Sequence, residues 1–177
     1  MQILVISDSH GKIEPVRNLL ERYSRNVEMV IHLGDNANDL LQFQSAYPTL
    51  NMVAVAGNCD SYTDAPRELI LTLGVPHKRR VLLLHGHSKN VKTNLNRLMY
   101  YSQEKEVDVC LFGHTHAPVI TSHGPFFVDL YSDNPRRQNC LIMNPGSVGE
   151  PRMMSNASYG LLSIDSKGSI TGEVYNL

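Results

Sequence analysis

Five short polar motifs each stand close behind a run of apolar residues, and this alternation constrains the fold more than any other feature of the chain. Asp8-Ser9-His10-Gly11 follows Ile3-Leu4-Val5-Ile6, and Gly34-Asp35-Asn36 follows Met29-Val30-Ile31. Gly57-Asn58-Cys59-Asp60 ends the run Met52 to Ala56. His85-Gly86-His87 ends Val81 to Leu84, and Gly113-His114-Thr115-His116 ends Val109 to Phe112. Short continuous apolar runs are expected of strands buried on both faces. In an open α/β sheet, ligands sit just beyond the carboxyl ends of the strands. Where the strands run parallel, the five motifs therefore converge on one place.

The segments between the motifs agree with this. Val16, Leu19, Leu20 and Tyr23 fall at i, i+3, i+4 and i+7, and Pro15 stands at a first helical position, so an amphipathic helix is expected there. A shorter helix is expected around Asn38 to Ala46. The first third thus reads β-α-β-α-β, which favours a parallel sheet covered by helices. Glu68 to Leu73 and Arg80 to Leu84 flank the turn Gly74-Val75-Pro76. Leu95, Leu98 and Met99 mark a further helix ending near Glu106. The remainder is strand-like: Val119 to Thr121, Phe126 to Val128, Leu141 to Met143, Tyr159 to Ile164 and Ser169 to Val174. Two sheets packed face to face with helices outside are expected, in a single domain over residues 1–177.

Composition narrows the function. Sixteen Lys and Arg against seventeen Asp and Glu leave a net charge of −1, which does not support a sequence-independent grip on nucleic acid. The longest apolar run has five residues, so no membrane span and no secretory leader are expected. Cys59, Cys110 and Cys140 form no C-x-x-C pair, which fits a reducing, cytoplasmic setting rather than a disulfide framework.

Taken singly, each motif has an ordinary reading. Asp-x-His suits a turn, Gly-Asp a helix cap, and Gly-Asn-Cys-Asp a tight turn. Together they offer carboxylate, amide and imidazole donors, which suit Mn, Fe, Zn, Co or Ni better than an all-oxygen Mg or Ca site. Six or seven ligands exceed one tetrahedral site and suit two ions with a carboxylate between them. Such a pair clamps an in-line displacement at phosphorus.

In this order, Asp8-x-His10, Gly34-Asp35, Gly57-Asn58, His85-Gly86 and Gly113-His114-x-His116 resemble the calcineurin-like metallophosphoesterase superfamily. The short chain, Gly-Asn-Cys-Asp, and Asn144-Pro145-Gly146-Ser147 followed by Pro151-Arg152 resemble its small bacterial and archaeal phosphodiesterase branch. The resemblance implies a four-layer α-β-β-α sandwich of two mixed sheets. It implies two divalent ions, manganese first, with Zn, Fe, Ni or Co suiting the same donors. Asp8, His10 and His116 would hold one ion and Asn58, His85 and His114 the other, with Asp35 bridging. A hydroxide shared by the two ions would attack a small phosphodiester directly. Asn58, His85 and Asp35 are then the catalytic positions, with Asn58 also contacting a phosphate oxygen.

One departure stands out. Many members carry His after the metal-ligand Asn, as a proton donor to the leaving group, and here that position is Cys59. His87 and Asp60 are the alternative donors within the motifs, and Asp60 is also a candidate to orient a metal-bound His. His32 reads as packing or as a support for a ligand, and His77 and His123 as surface residues. Asn144 to Ser147 reads as a turn returning the last strands to the core. Arg152 is a candidate contact for a substrate phosphate, with a surface ion pair as the plainer reading. The segment from Phe126 to Asn139 reads as a hairpin arm that covers the site, pairs with a second copy in a dimer or larger assembly, or is a solvated loop. A phosphomonoesterase and a non-catalytic scaffold resembling the retromer subunit are the competing functions. The completeness of the ligand set favours the enzyme.

Overall fold

The computed structural model describes residues 1–128 and 136–177, apart from the side chains of 126–128 and 136–138. The first sheet is built on β1 (Gln2–Ile6), β2 (Met29–His32) and β3 (Asn51–Ala54), all parallel, as the β-α-β-α-β reading requires. The chain then leaves for the second sheet: β4 (Glu68–Leu73), β5 (Arg79–Leu84), β6 (Val109–Leu111), β7 (Val119–Val128) and β8 (Arg136–Asn144). It returns to the first sheet with β9 (Ser158–Ile164) and β10 (Ile170–Asn176). The strand orders are β10-β9-β1-β2-β3 and β4-β5-β6-β8-β7, so both sheets have five strands and both are mixed.

Alternation within the apolar runs sorts the layers. Ile3 and Val5 face the second sheet and pack with Val81, Leu83, Val109, Leu111, Met143 and Leu162. Leu4 and Ile6 face outward, onto Val16, Leu19 and Leu20 of α1 (Ile13–Tyr23). On the far side, Leu82, Leu84, Cys110 and Ile142 pack with Leu98 of α3 (Asn96–Glu104). These three apolar clusters produce the expected four layers. Cys110 and Cys140 are buried free thiols, as expected without a disulfide framework.

Three local expectations are corrected. Helix α1 begins at Ile13, two residues before Pro15, whose missing N–H is tolerated within a first turn. The second helix, α2, covers only Asn38–Leu41. Beyond it, tight turns bring Phe43 N–H to Leu40 and Ala46 N–H to Phe43, and Pro48 disfavours helical geometry at Tyr47. The two strands expected at Val119 to Thr121 and Phe126 to Val128 are one strand. Its register shifts between His123 and Phe126, where Pro125 supplies no N–H to the ladder. The turn of the Phe126 to Asn139 arm, at 129–135, lies outside the described residues, as do the side chains of Phe126, Phe127, Tyr131, Arg136 and Arg137. Among the described residues no helix is long and apolar enough to cross a membrane.

Candidate metal centre

The strands β1, β2 and β3 are mutually parallel, as are β5, β6 and β8. Their carboxyl-end loops meet across the gap between the two sheets. Asp8, His10, Asp35 and His116 bring ligand atoms within 4.8 Å of one another, and so do Asp35, His85 and His114. Asp35 is common to both groups. Its Oδ2 lies 3.7 Å from His10 Nε2 and 3.3 Å from His85 Nε2. His10 Nε2 lies 3.2 Å from His116 Nε2, and His85 Nε2 lies 3.1 Å from His114 Nδ1.

The backbone reaches this arrangement through unusual turns. Asp8, His10, Asp35, His114 and His116 all have φ between 49° and 69°, the left-handed region. Each such residue costs roughly 1–2 kcal/mol, and clustering of this kind marks a site held in place by its surroundings. Gly57 and Gly113 permit close approach. A Cβ on Gly57 would strike the Asp35 carboxylate, and one on Gly113 would strike Ser7 Oγ.

Hydrogen bonds fix which atoms face inward. His85 Nδ1 donates to the Leu33 carbonyl at 2.7 Å, and His116 Nδ1 donates to the Glu150 carbonyl. A neutral ring that donates through Nδ1 presents a bare lone pair at Nε2. His116 Nε2 then faces Asp8 Oδ1 at 3.1 Å, and His85 Nε2 faces Asp35 Oδ2. Asp8 Oδ1 is buried with no hydrogen-bond partner among the described residues. Its other oxygen accepts from Ser7 Oγ and from the N–H of His114. Lone pairs of imidazole and carboxylate converging on one buried spot are the donor chemistry of a divalent transition ion. The residues fit such an ion.

The electrostatics follow. Burial works against the charge on Asp8, and His116, His85 and Ser7 overcome it, so its pKa is lowered. Burial likewise opposes the charge on Asp35, and His85 in its protonated form, together with the Cys59 N–H, outweighs it, again lowering the pKa. For His85, burial is outweighed by Asp35 and Asp8, and its pKa is raised. For His114 the same two carboxylates are outweighed: burial, His85 and Lys92 push it down to about 4. Burial, His85 and Arg67 lower the pKa of His87. Burial and the Asp35 charge raise that of the Cys59 thiol.

Asn58 is exposed, beside the carboxylate that Gly57 touches, and its Nδ2 donates to Cys59 Sγ at 3.2 Å. Arg152 sits on the loop whose backbone is bonded to His116, and its N–H donates to the His116 carbonyl. Asp60 does not orient a histidine. Its carboxylate accepts the backbone N–H groups of Asp35, Asn36, Ala37 and Gly57, a role that pulls it away from proton donation. His32 supports a ligand loop: its Nδ1 accepts from Gly34 N–H, and its Nε2 meets Ser9 Oγ at 2.9 Å.

Two supports escaped sequence reasoning. Ser147 Oγ donates to the Asp8 carbonyl at 2.7 Å while accepting from the N–H of Glu150. Asn144 Nδ2 donates to the Gly113 carbonyl at 2.9 Å. The turn they form therefore braces both ends of the centre. The signal was the rule used for the other motifs, since Asn144 to Ser147 is a sixth polar segment directly after an apolar strand.

The chain belongs to the calcineurin-like phosphoesterase superfamily, whose domain model it matches over residues 1–167. The family is one of hydrolases acting on phosphoric esters. The chain is 32% identical to the probable metallophosphoesterase YsnB of Bacillus subtilis, over 93% of this chain and 85% of that protein. It is 30% identical to the phosphodiesterase YfcE of Escherichia coli K12, over 93% and 89% of the two chains. Its fold matches the crystal structure of a conserved uncharacterized protein from Streptococcus pneumoniae TIGR4. That TM-score is 0.73 at 27% identity, covering 98% of this chain and 96% of the other.

Proposed function

We propose that this chain, acting as one domain over residues 1–177, is a metal-dependent phosphodiesterase with a two-ion centre. The observation that supports it best is the shared position of Asp35, whose Oδ2 faces His10 on one side and His85 on the other. Asp8, His10 and His116 are assigned to one ion, and Asn58, His85 and His114 to the second. When bound, the ions supply Lewis acidity toward phosphoryl oxygens and make hydroxide available at neutral pH. The chain supplies the rest. Leu33 and Glu150 carbonyls hold His85 and His116 with Nε2 inward. We assign the exposed Asn58 amide to contact a phosphoryl oxygen, and Arg152, on the loop bonded to His116, to contact substrate. Cys59, with its pKa raised, leaves leaving-group protonation to solvent, so esters with good leaving groups are preferred.

Manganese is the proposed ion, on the mixed oxygen and nitrogen donor set. The name phosphodiesterase carried by the Escherichia coli relative supports diesters over monoesters for this chain. Retention of every ligand position favours an enzyme over a scaffold. A cytoplasmic enzyme that self-associates is the accompanying proposal. The test is hydrolysis of bis(p-nitrophenyl) phosphate by chelator-stripped protein with Mn²⁺ returned, beside Asp35→Asn and beside p-nitrophenyl phosphate. Turnover restored by metal, absent in the variant and faster on the diester is expected. No turnover with any of Mn, Co, Ni, Fe or Zn would overturn the reading.

A further inference from the structure

The rim of the centre carries two basic side chains that the phosphodiesterase chemistry above does not use. Arg67 stands one residue before β4, and the antiparallel register pairing Glu68 with Leu84 carries Arg67 alongside His85. The preceding Pro66 carbonyl accepts the Ala56 N–H at 2.8 Å, which ties this segment to the strand end that bears Gly57 and Asn58. Lys92 follows Val91, which is buried, and a Cβ on Gly86 would lie 3.0 Å from that valine's Cγ2. The loop after His85-Gly86-His87 is thus anchored where Lys92 leaves it.

Both side chains are exposed. Among the described residues neither forms an ion pair, whereas Arg17 pairs with Glu14 and Arg79 with Asp108. Nearby Lys89 is also engaged, with its Nζ over the Tyr101 ring. The register sets Arg67 beside His85, and Val91, one residue before Lys92, lies against the Gly86 turn, so both flank the same half of the centre. The other half differs: beyond Arg152 its rim presents Met153 and Met154, 81% and 104% exposed. In a chain of net charge −1, two unpaired cations on one side of an anion-binding centre form a local positive rim.

We propose that Arg67 and Lys92 form a second anion subsite beside the Asn58, His85 and His114 half, and that the substrates are phosphodiesters with a further phosphate on one organic arm. This rests on the phosphodiesterase reading. The planar fork of Arg and the compact ammonium of Lys together suit a terminal phosphate, whose oxygens accept from several directions. The scissile phosphate stays at the centre while the second phosphate fixes which arm points toward β4.

The test uses Mn-loaded protein and two p-nitrophenyl esters of thymidine 5′-phosphate, one with a free 3′-hydroxyl and one with a 3′-phosphate. In the wild type, kcat/KM is expected to be at least about tenfold higher for the 3′-phosphorylated ester, with the advantage shrinking as salt rises. In the Arg67→Gln, Lys92→Gln double variant the ratio is expected to fall to near one. Equal values in the wild type, or a ratio that survives both substitutions, would overturn the subsite. Calorimetry with thymidine 3′,5′-bisphosphate and thymidine 5′-monophosphate reads the subsite without turnover, and circular dichroism checks that the variant folds. If neither ester is hydrolysed but the bisphosphate binds about tenfold tighter to the wild type alone, the phosphodiesterase reading fails and the subsite stands. If the bisphosphate binds no tighter than the monophosphate, the subsite fails whatever the turnover.

Discussion

Asp60 Oδ2 accepts the backbone N–H of Asp35 at 2.8 Å, so one carboxylate fixes the main chain beneath the other. Asp60 also holds the N–H groups of Asn36, Ala37 and Gly57, joining the two loops that carry Asp35 and Asn58. Hydrogen bonds to a charged acceptor each contribute roughly 1.5–3 kcal/mol.

Asp60→Ala is therefore expected to lower stability by about 3 kcal/mol or more and to weaken metal binding at least tenfold. Urea denaturation of the chelated protein and Mn²⁺ titration by calorimetry read the two effects separately. An Asp60→Ala protein with unchanged metal affinity would mean that Asp35 is held by something else.

Gly57→Ala places a methyl group against both the carboxylate and the backbone N of Asp35. A displacement near 1 Å is enough to cost on the order of 100-fold in rate. The expected result is loss of metal-dependent turnover with an unchanged far-ultraviolet spectrum. Normal activity in this variant would show that the Asp35 carboxylate has room to move.

His32 is fully buried, and burial holds its pKa at about 4, against 6.5 for an ordinary histidine, with nearby carboxylates only partly offsetting this. The folded state keeps it neutral while the unfolded chain takes up a proton below 6.5. Its contribution is thus intact above pH 6.5 and is lost as pH falls toward 4, to a total of about 3 kcal/mol. Chelated wild type should lose stability across that window more steeply than chelated His32→Gln. Parallel curves would place the titration elsewhere.

In the proposed function, chelation removes the ions assigned to the cluster of Asp8, Asp35, His85 and His116. A ligand at 100 times its dissociation constant stabilises by about 2.7 kcal/mol, or roughly 5–10 °C in Tm for a domain of this size. Differential scanning calorimetry with and without chelator should show a fall of this order, reversed by Mn²⁺. A Tm indifferent to chelator would argue that the cluster binds no ion.

Ser147→Ala removes a buried hydroxyl that bridges the Asp8 carbonyl to the Glu150 N–H. A loss of about 1–3 kcal/mol is expected, together with weaker metal binding. Leu83→Ala, in the core between the sheets, should cost about 2–5 kcal/mol and leave metal affinity unchanged. The contrast separates support of the centre from support of the fold.

Much of this was legible in the chain. The apolar runs at Ile3, Met29, Met52, Val81 and Val109 became parallel strands because their crossovers return them in the same direction, which is also why their polar ends meet. What stayed hidden were relationships between a side chain and a distant main chain. Ser147 and Asp8 are 139 residues apart, and the contact runs to a carbonyl that every residue possesses. Asp60 was visible as a polar residue beside a ligand, but its acceptor role depends on four N–H groups that no residue type announces. The extent of α2 was hidden for a related reason. Leu40 and Phe43 are buried three residues apart, a spacing that also suits a helix, while the chain from Leu40 to Ala46 runs as successive turns.

The strand order has a consequence for synthesis. Strand β1 lies between β2 and β9, so one of its edges stays open until Ser158–Ile164 has been made. Every sequence-derived ligand precedes that segment, and so does the Ser147 that braces Asp8. A nascent chain therefore carries all of its candidate metal donors before the sheet beneath them has been sealed. Docking of the closing β9–β10 hairpin therefore seals the sheet beneath the candidate donors only after all of them have been made.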